Sequence, residues 1–310
     1  MLLHVRNNME LIFEKIEKSY GNKKALSEFS TILEPGIYGL LGPNGSGKST
    51  LMNIISENII QDSGNVLYKG NDGEAVNISK MGVEYRRKLG YMPQYPGMYP
   101  NFTCLQFLSY MATLKDIGHC MDRKSKKIYI NQRIKEVLEA VRLTDVSNNK
   151  INTLSGGMKQ RLALAQAIIG DPEILILDEP TAGLDPSQRI IIRNLISQIA
   201  LHKIVLIATH VVSDIEFIAK NIILLKKGKI IDNTHPDELT QKIEGMVWLV
   251  PCSENEISHL QATHRVINIC KDNNNTILLR ILSEESPTSL SFRTQPTLED
   301  YYLYEFGSKT

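Results

Sequence analysis

Cysteine is scarce in this sequence, and its four copies (Cys104, Cys120, Cys252 and Cys270) are scattered with no CxxC pair. That spacing excludes a disulfide frame and a zinc ribbon, and reads as reduced thiols of a cytosolic protein. Charge of one sign is lacking too. Thirty-five basic residues face 34 acidic ones, a net charge of +1. Neither the broad positive field of a nucleic-acid binder nor an acidic tail is present. No apolar run approaches the ~18 residues that cross a bilayer. The start, MLLHVRNNMELIFEKI, is too short and too polar after Val5 for a signal peptide, and Met9 is a second candidate start. Internal repeats and low-complexity tracts are missing.

What is there is an alternation of strands and helices. A hydrophobic fraction of 42% over 310 residues supports one large α/β domain and a small appendage. Residues 10–20 and 30–41 read as strands around the turn YGNKKA. GIYGLLGPNGSGKSTLMNIIS reads as strand, glycine loop, helix. DSGNVLYKG and KLGYMPQ hold further strands. Between Tyr95 and about Lys150 the apolar spacing becomes helical. EILILDEP is a short, wholly apolar strand, as in a parallel sheet covered on both faces. DPSQRIIIRNLISQIALH is a helix with Asp185 as N-cap and Pro186 at its first position. KIVLIATH and NIILLKKGKII are two more strands. The pattern predicts a doubly wound α/β fold. After Asp237 the character changes to a small α+β module: a strand at MVWLV, a helix opened by a Ser253–Glu256 capping box, a hairpin turning at NNN, and a closing helix with a Thr297–Asp300 box.

Gly42 to Ser49 matches G-x-x-x-x-G-K-[ST] in full. The glycines Gly42, Gly45 and Gly47, with Pro43, Asn44 and Ser46 between them, let backbone N–H groups wrap around phosphate oxygens. A helix starting near Lys48 and running through Ser49 and Thr50 adds its positive dipole end. Lys48 reaches the β- and γ-phosphates, and the Ser49 hydroxyl is offered to Mg²⁺. The apolar strand ILILD delivers Asp178 and Glu179 to the carboxyl edge of the sheet, where ligands sit in such folds. Asp178 suits metal coordination through water. Glu179 suits a general base or an orienter of water. A second Gly-Gly turn, LSGGMKQR at residues 154–161, runs into a basic helical segment and has the makings of a second anion site.

GPNGSGKST, LSGGMKQR, ILILDEP, AGLD and His210 occur in that order. Together they resemble the nucleotide-binding cassette of ABC transporters, and the resemblance spans about residues 10–237. It implies a P-loop NTPase core with a parallel sheet flanked by helices, an antiparallel β subdomain, a helical subdomain at about 95–170, and residues 238–310 as an accessory module. It implies ATP and Mg²⁺ as cofactors. Tyr20 then stacks on adenine, although alone it reads equally as a strand-end packing residue. Gln94 touches Mg²⁺ and the attacking water. Ser155, Gly156 and Gly157 form the signature loop, Asp185 reaches the neighbouring cassette, and His210 senses the γ-phosphate. Met158 replaces the usual glutamine of LSGGQ. The phosphate contacts fall to Ser155, the glycine N–H groups and the helix N-terminus, so function is expected to survive.

The resemblance further implies that the signature loop closes over ATP held by a second cassette, in a homodimer or with a paralogue. Without a span of its own, the chain then needs a separate integral-membrane subunit and is peripherally attached at the cytoplasmic face of the cell membrane, with no nucleic-acid partner. Its motifs point to export. The segment YPGMYPNFTCLQFLSYM reads equally as the docking surface for that subunit and as the helical subdomain's own core. The alternatives are a soluble ABC-type ATPase acting on ribosomes or DNA, and a non-catalytic module with a vestigial site.

Overall fold

The computed structural model describes residues 9–71, 73–272 and 275–307, and the chain divides into two units between Asn233 and Thr234. The first unit opens with β1 (Glu10–Tyr20) and β2 (Lys23–Leu33), joined by the tight turn Gly21-Asn22. β3 (Gly36–Leu41) follows and leads into α1 (Lys48–Ile55). Then come β4 (Ser63–Lys69), β5 (Ala75–Asn77), α2 (Ile78–Met81), α3 (Val83–Lys88) and β6 (Leu89–Met92). Three helices occupy the middle of the chain: α4 (Cys104–Leu114), α5 (Arg123–Ala140) and α6 (Gly156–Ile168). β7 (Ile174–Asp178), α7 (Pro186–Ile199), β8 (Ile204–Ala208), β9 (Asn221–Lys226) and β10 (Lys229–Thr234) complete the order.

Three segments depart from the sequence reading, the first being β2, which begins at Lys23 inside the expected turn YGNKKA. The run 30–41 is two strands, because Glu34-Pro35 breaks it; β2 stays in an antiparallel sheet while β3 enters the parallel one. Proline has no N–H for a ladder, so a break there is natural. The run NIILLKKGKII is likewise split, by Lys227-Gly228 at φ +51° and +79°, into β9 and β10.

The antiparallel sheet has the order β2-β1-β4-β5, and the six-stranded sheet β10-β9-β3-β8-β7-β6. β6, β7, β8, β3 and β9 run parallel. β7 and β8 are buried along almost their whole length, which explains why they are apolar up to Asp178 at the end of β7. One buried cluster joins the two sheets: Leu11, Phe13 and Phe29 from the antiparallel sheet, Leu40, Ile176 and Leu206 from the parallel one, and Leu51, Met52, Ile54 and Ile55 of α1. Each such side chain contributes roughly 1.5–3 kcal/mol by leaving water. α1 is therefore clamped on its apolar side, and its N-terminus is fixed where the glycine loop ends.

The helical segment ties to the sheet through polar contacts. Lys115, at the C-terminus of α4, donates to the Leu89 carbonyl at 3.1 Å, and burial pushes its ammonium down to about 8. Arg133 on α5 donates to the carbonyls of Ile168 and Ile169 at 3.0 and 3.1 Å, capping the end of α6.

The second unit holds α8 (Pro236–Gln241), β11 (Val247–Cys252), α9 (Glu254–Thr263), β12 (Arg265–Lys271), β13 (Ile277–Leu282), β14 (Phe292–Arg293) and α10 (Leu298–Phe306). Its sheet has the order β12-β13-β11-β14, with Trp248, Val250, Leu279 and Ile281 packed on Leu260 of α9. The Ser253–Glu256 and Thr297–Asp300 boxes form as the sequence predicts. The β12–β13 hairpin forms too, though Asn273 and Asn274 of its expected turn lie outside the described residues. Asp300 is almost fully buried. It accepts from Arg280 Nε at 2.8 Å and Nη2 at 2.6 Å, a forked pair that pins α10 to β13. All four cysteines are unpaired. No helix among the described residues is long and apolar enough to cross a membrane.

Candidate nucleotide site

The carboxyl ends of four neighbouring parallel strands converge on one cleft of about 590 Å³. β3 ends at the glycine loop, β6 two residues before Gln94, β7 at Asp178 and β8 two residues before His210. Asn44, Gly45, Gly47, Lys48, Ser49 and Thr50 of the glycine loop and α1 line it. Gln94, Asp178, Glu179 and His210 line it too, as do Tyr20 and Lys23 of the antiparallel sheet. Tyr20 is 53% exposed at the end of β1, with Lys18 Nζ 5.9 Å from its ring centre, so part of the ring is accessible from the cleft.

The loop is built for an anion. Gly45 and Gly47 sit at φ +78° and +116°, and a Cβ on Gly47 would lie 2.5 Å from the Ala25 carbonyl. Gly42, at φ +154°, would meet the Leu225 carbonyl at 2.3 Å. Only glycine fits these positions. No side chain caps the N-terminus of α1, so its first N–H groups face the cleft without a protein acceptor. The buried Ser46 Oγ has no hydrogen-bond partner. Lys48 Nζ meanwhile donates to the Gly42 and Pro43 carbonyls at 2.6 and 3.2 Å, held within the loop it would share with a phosphate. These donors fit a nucleotide's phosphate chain.

Opposite the loop lie two adjacent carboxylates. Burial, then the Glu179 charge, raises the Asp178 carboxyl, while Lys48 opposes the shift. Burial lowers the Lys48 ammonium against the pull of Glu179 and Asp178. A divalent cation would relieve the repulsion between the acids, and Ser49, Gln94 and Asp178 offer only oxygen ligands, the donor set of a hard ion. Glu179 Oε1 lies 2.8 Å from His210 Nδ1, and its Oε2 accepts from Thr209 Oγ1 at 3.3 Å. The Glu179 backbone is left-handed at φ +49°, with its N–H donated to the Ala208 carbonyl at 2.8 Å.

Ser155, Gly156, Gly157 and Asp185 are not brought into this cleft. Ser155 caps α6, its Oγ accepting from Met158 N at 3.3 Å. Gly157 lies under Gln188 of α7; a Cβ there would come within 2.4 Å of its amide oxygen. Asp185 caps α7 as the sequence predicts, accepting from Gln188 N at 2.9 Å. Gly156 instead lines a separate groove of about 720 Å³, with Gln94, Tyr95, Met98, Lys159, Gln160 and Leu184 among its walls.

The ABC transporter family model matches residues 26–182, just over half of the chain. The chain belongs to the ATP-binding subunits of ABC transporters. The linearmycin resistance ATP-binding protein LnrL of Bacillus subtilis is 35% identical over 234 residues, covering 75% of this chain and 71% of its own. The Nod factor export ATP-binding protein I of Rhizobium etli is 33% identical over 235 residues, covering 75% and 70%. Among solved structures, a dimeric post-hydrolysis state of an ATP-binding cassette with ADP and Pi superposes with a TM-score of 0.60 at 26% identity, covering 73% of this chain and 98% of that one. The protein is therefore an ABC ATPase, and nothing in these relatives supports the ribosome- or DNA-directed alternative.

Sequence reasoning missed three contributors to the cassette site. Lys23 lines the cleft from the strand beside Tyr20, where the sequence reads as turn. Thr209 was legible beside His210 in IATH. Gln160 donates to the Pro180 and Glu179 carbonyls from α6, a contact with no sequence signal at all. The segment 95–111 divides between its two readings. Cys104, Phe107 and Leu108 are core, whereas Tyr95, Tyr99 and Tyr110 remain exposed.

Proposed function

We propose that this cassette is one half of a two-site Mg²⁺-dependent ATPase that drives export through a separate integral-membrane subunit at the cytoplasmic face of the cell membrane. Tyr20 stacks on adenine, and the glycine loop with Lys48 holds the phosphates. Ser49, Gln94 and Asp178 hold Mg²⁺. Glu179 takes a proton from the attacking water or orients it, and His210, hydrogen-bonded to Glu179, answers the γ-phosphate. An ion held by Ser49, Gln94 and Asp178 would supply positive charge against the charge that develops on the phosphates.

The reading rests on one observation. One cleft brings together Tyr20, Asn44 and five further residues of the glycine loop and α1, and Gln94, Asp178, Glu179 and His210, whereas the Ser155 loop and Asp185 lie outside its lining. Those residues are then free to serve a second copy's nucleotide, in a twofold pair that closes on ATP and reopens after hydrolysis. The groove beside Gln94, with exposed Tyr95 in its wall, is the surface for the membrane subunit. Gln94 lines both groove and cleft, so a partner seated there touches the nucleotide site. Export of an amphiphile is supported by the relatives named for linearmycin resistance and Nod factor export. The accessory module from about residue 238 assists pairing or regulation.

The test is ATPase rate per chain against protein concentration, with Mg²⁺ and with excess chelator. A specific rate that rises with concentration and vanishes with chelator is expected. Full activity at high dilution sinks the shared site.

A further inference from the structure

We propose that Gln160 is a positioning residue for the Glu179 of its own chain. The inference rests on the reading of Glu179 as the catalytic carboxylate. Gln160 follows the signature loop on α6, so its helix serves the site of the second cassette. Its side chain nevertheless turns back into its own chain. Nε2 donates to the Pro180 carbonyl at 2.8 Å and approaches the Glu179 carbonyl at 3.4 Å. Both partners are acceptors only, so the amide nitrogen, not the oxygen, must face them.

The peptide it grips is in a left-handed conformation. Glu179 is a non-glycine residue at φ +49°, a conformation that persists only where neighbours hold it. Three bonds do so: its N–H to Ala208, Ala182 N–H to its carbonyl at 3.1 Å, and the Gln160 amide. The first two come from the same end of the parallel sheet. Gln160 alone comes from α6, and it also forms part of the groove wall. A shift of α6 is thereby transmitted to the backbone that aims the carboxylate at its own ATP. The helix that carries the signature loop toward the second cassette's ATP is thus hydrogen-bonded to the main chain at Glu179 and Pro180 of its own chain's site.

Three variants separate the donor from mere bulk. Gln160→Met keeps the length without a donor, Gln160→Glu sets an acceptor against two carbonyls, and Gln160→Lys restores a donor. The Met and Glu variants are expected to lose ten-fold or more in kcat, with ATP affinity of the monomer within two-fold of wild type and Lys intermediate. Equal rates for Lys and Glu, or wild-type kcat in Met, overturn the proposal.

Mixed dimers test which chain is served. Pairing a Ser155→Arg chain with a Gln160→Met chain leaves one live site, whose Glu179 retains its own Gln160. It should turn over like a Ser155→Arg and wild-type pair. A chain carrying both substitutions, paired with wild type, has its live site on the chain lacking Gln160 and should be slow. The reverse order assigns Gln160 to the signature loop and refutes the inference. If Glu179→Gln hydrolyses normally, the underlying reading fails instead; if that variant is dead while Gln160→Met is fully active, this inference alone fails.

Discussion

His210 Nδ1 lies 2.8 Å from Glu179 Oε1, across the ends of two adjacent parallel strands. The register that pairs Asp178 with Ala208 fixes that approach. The carboxylate is nearly buried while the imidazole is 70% exposed, so the histidine is the member of the pair that can reach outward to a phosphate.

Glu179→Gln keeps the size and the contacts with His210 and Thr209 but cannot accept a proton. ATP binding should survive, hydrolysis should fall by two orders of magnitude or more, and ATP should trap a dimer. Size-exclusion chromatography with ATP, set beside phosphate release, reads both. Normal turnover would remove Glu179 from the chemistry.

Ser155→Arg puts a large cation at the cap of α6, outside the chain's own cleft. The monomer should bind ATP as wild type does, while hydrolysis and ATP-driven pairing are lost. A matching loss of monomer affinity would mean that the loop acts within its own chain.

Lys115 supplies the pH prediction. Burial lowers its pKa in the folded chain to about 8, from the usual 10.5 of a lysine. Between those values the unfolded chain binds more protons, so the stability contributed by this group rises with pH. The burial penalty is present below about 8 and relieved near 10.5. Relative to Lys115→Met, the wild type should gain on the order of 3 kcal/mol across that window. Urea unfolding of both proteins at pH 7.5 and 10 measures it, and parallel pH profiles would contradict it.

Asp300→Ala leaves the Arg280 guanidinium partly buried without its forked partner and removes the box that starts α10. A loss of roughly 3–5 kcal/mol is expected for the second unit. Chemical denaturation followed by the fluorescence of Trp248, the only tryptophan and a member of that unit's core, reports it. An unchanged midpoint would show that α10 is not held by this pair.

The site was legible where its chemistry acts through short-range rules. Gly42, Gly45 and Gly47 hold backbone angles or approaches that other residues resist, and Asp178 ends a strand too apolar to lie anywhere but the sheet interior. Asp185, Glu256 and Asp300 declared their helices through local capping. Pro35 was the overlooked signal: both flanks of it are apolar, so one strand and two read alike until the sheets are seen to be different. Gln160 could not be found at all. Its partners are main-chain carbonyls about twenty positions away, and main-chain atoms leave no trace in residue identity.

The break at Glu34-Pro35 has one more effect. Because β2 and β3 part company there, Tyr20 belongs to one sheet and the glycine loop to the other, and the cleft opens along the seam between them. Whatever fills the cleft is a cross-link as well as a fuel. A nucleotide at a hundred times its dissociation constant would add about 2.7 kcal/mol to the folded state. An empty cassette is thus less stable than a loaded one, and the release of product loosens the tie between the two sheets.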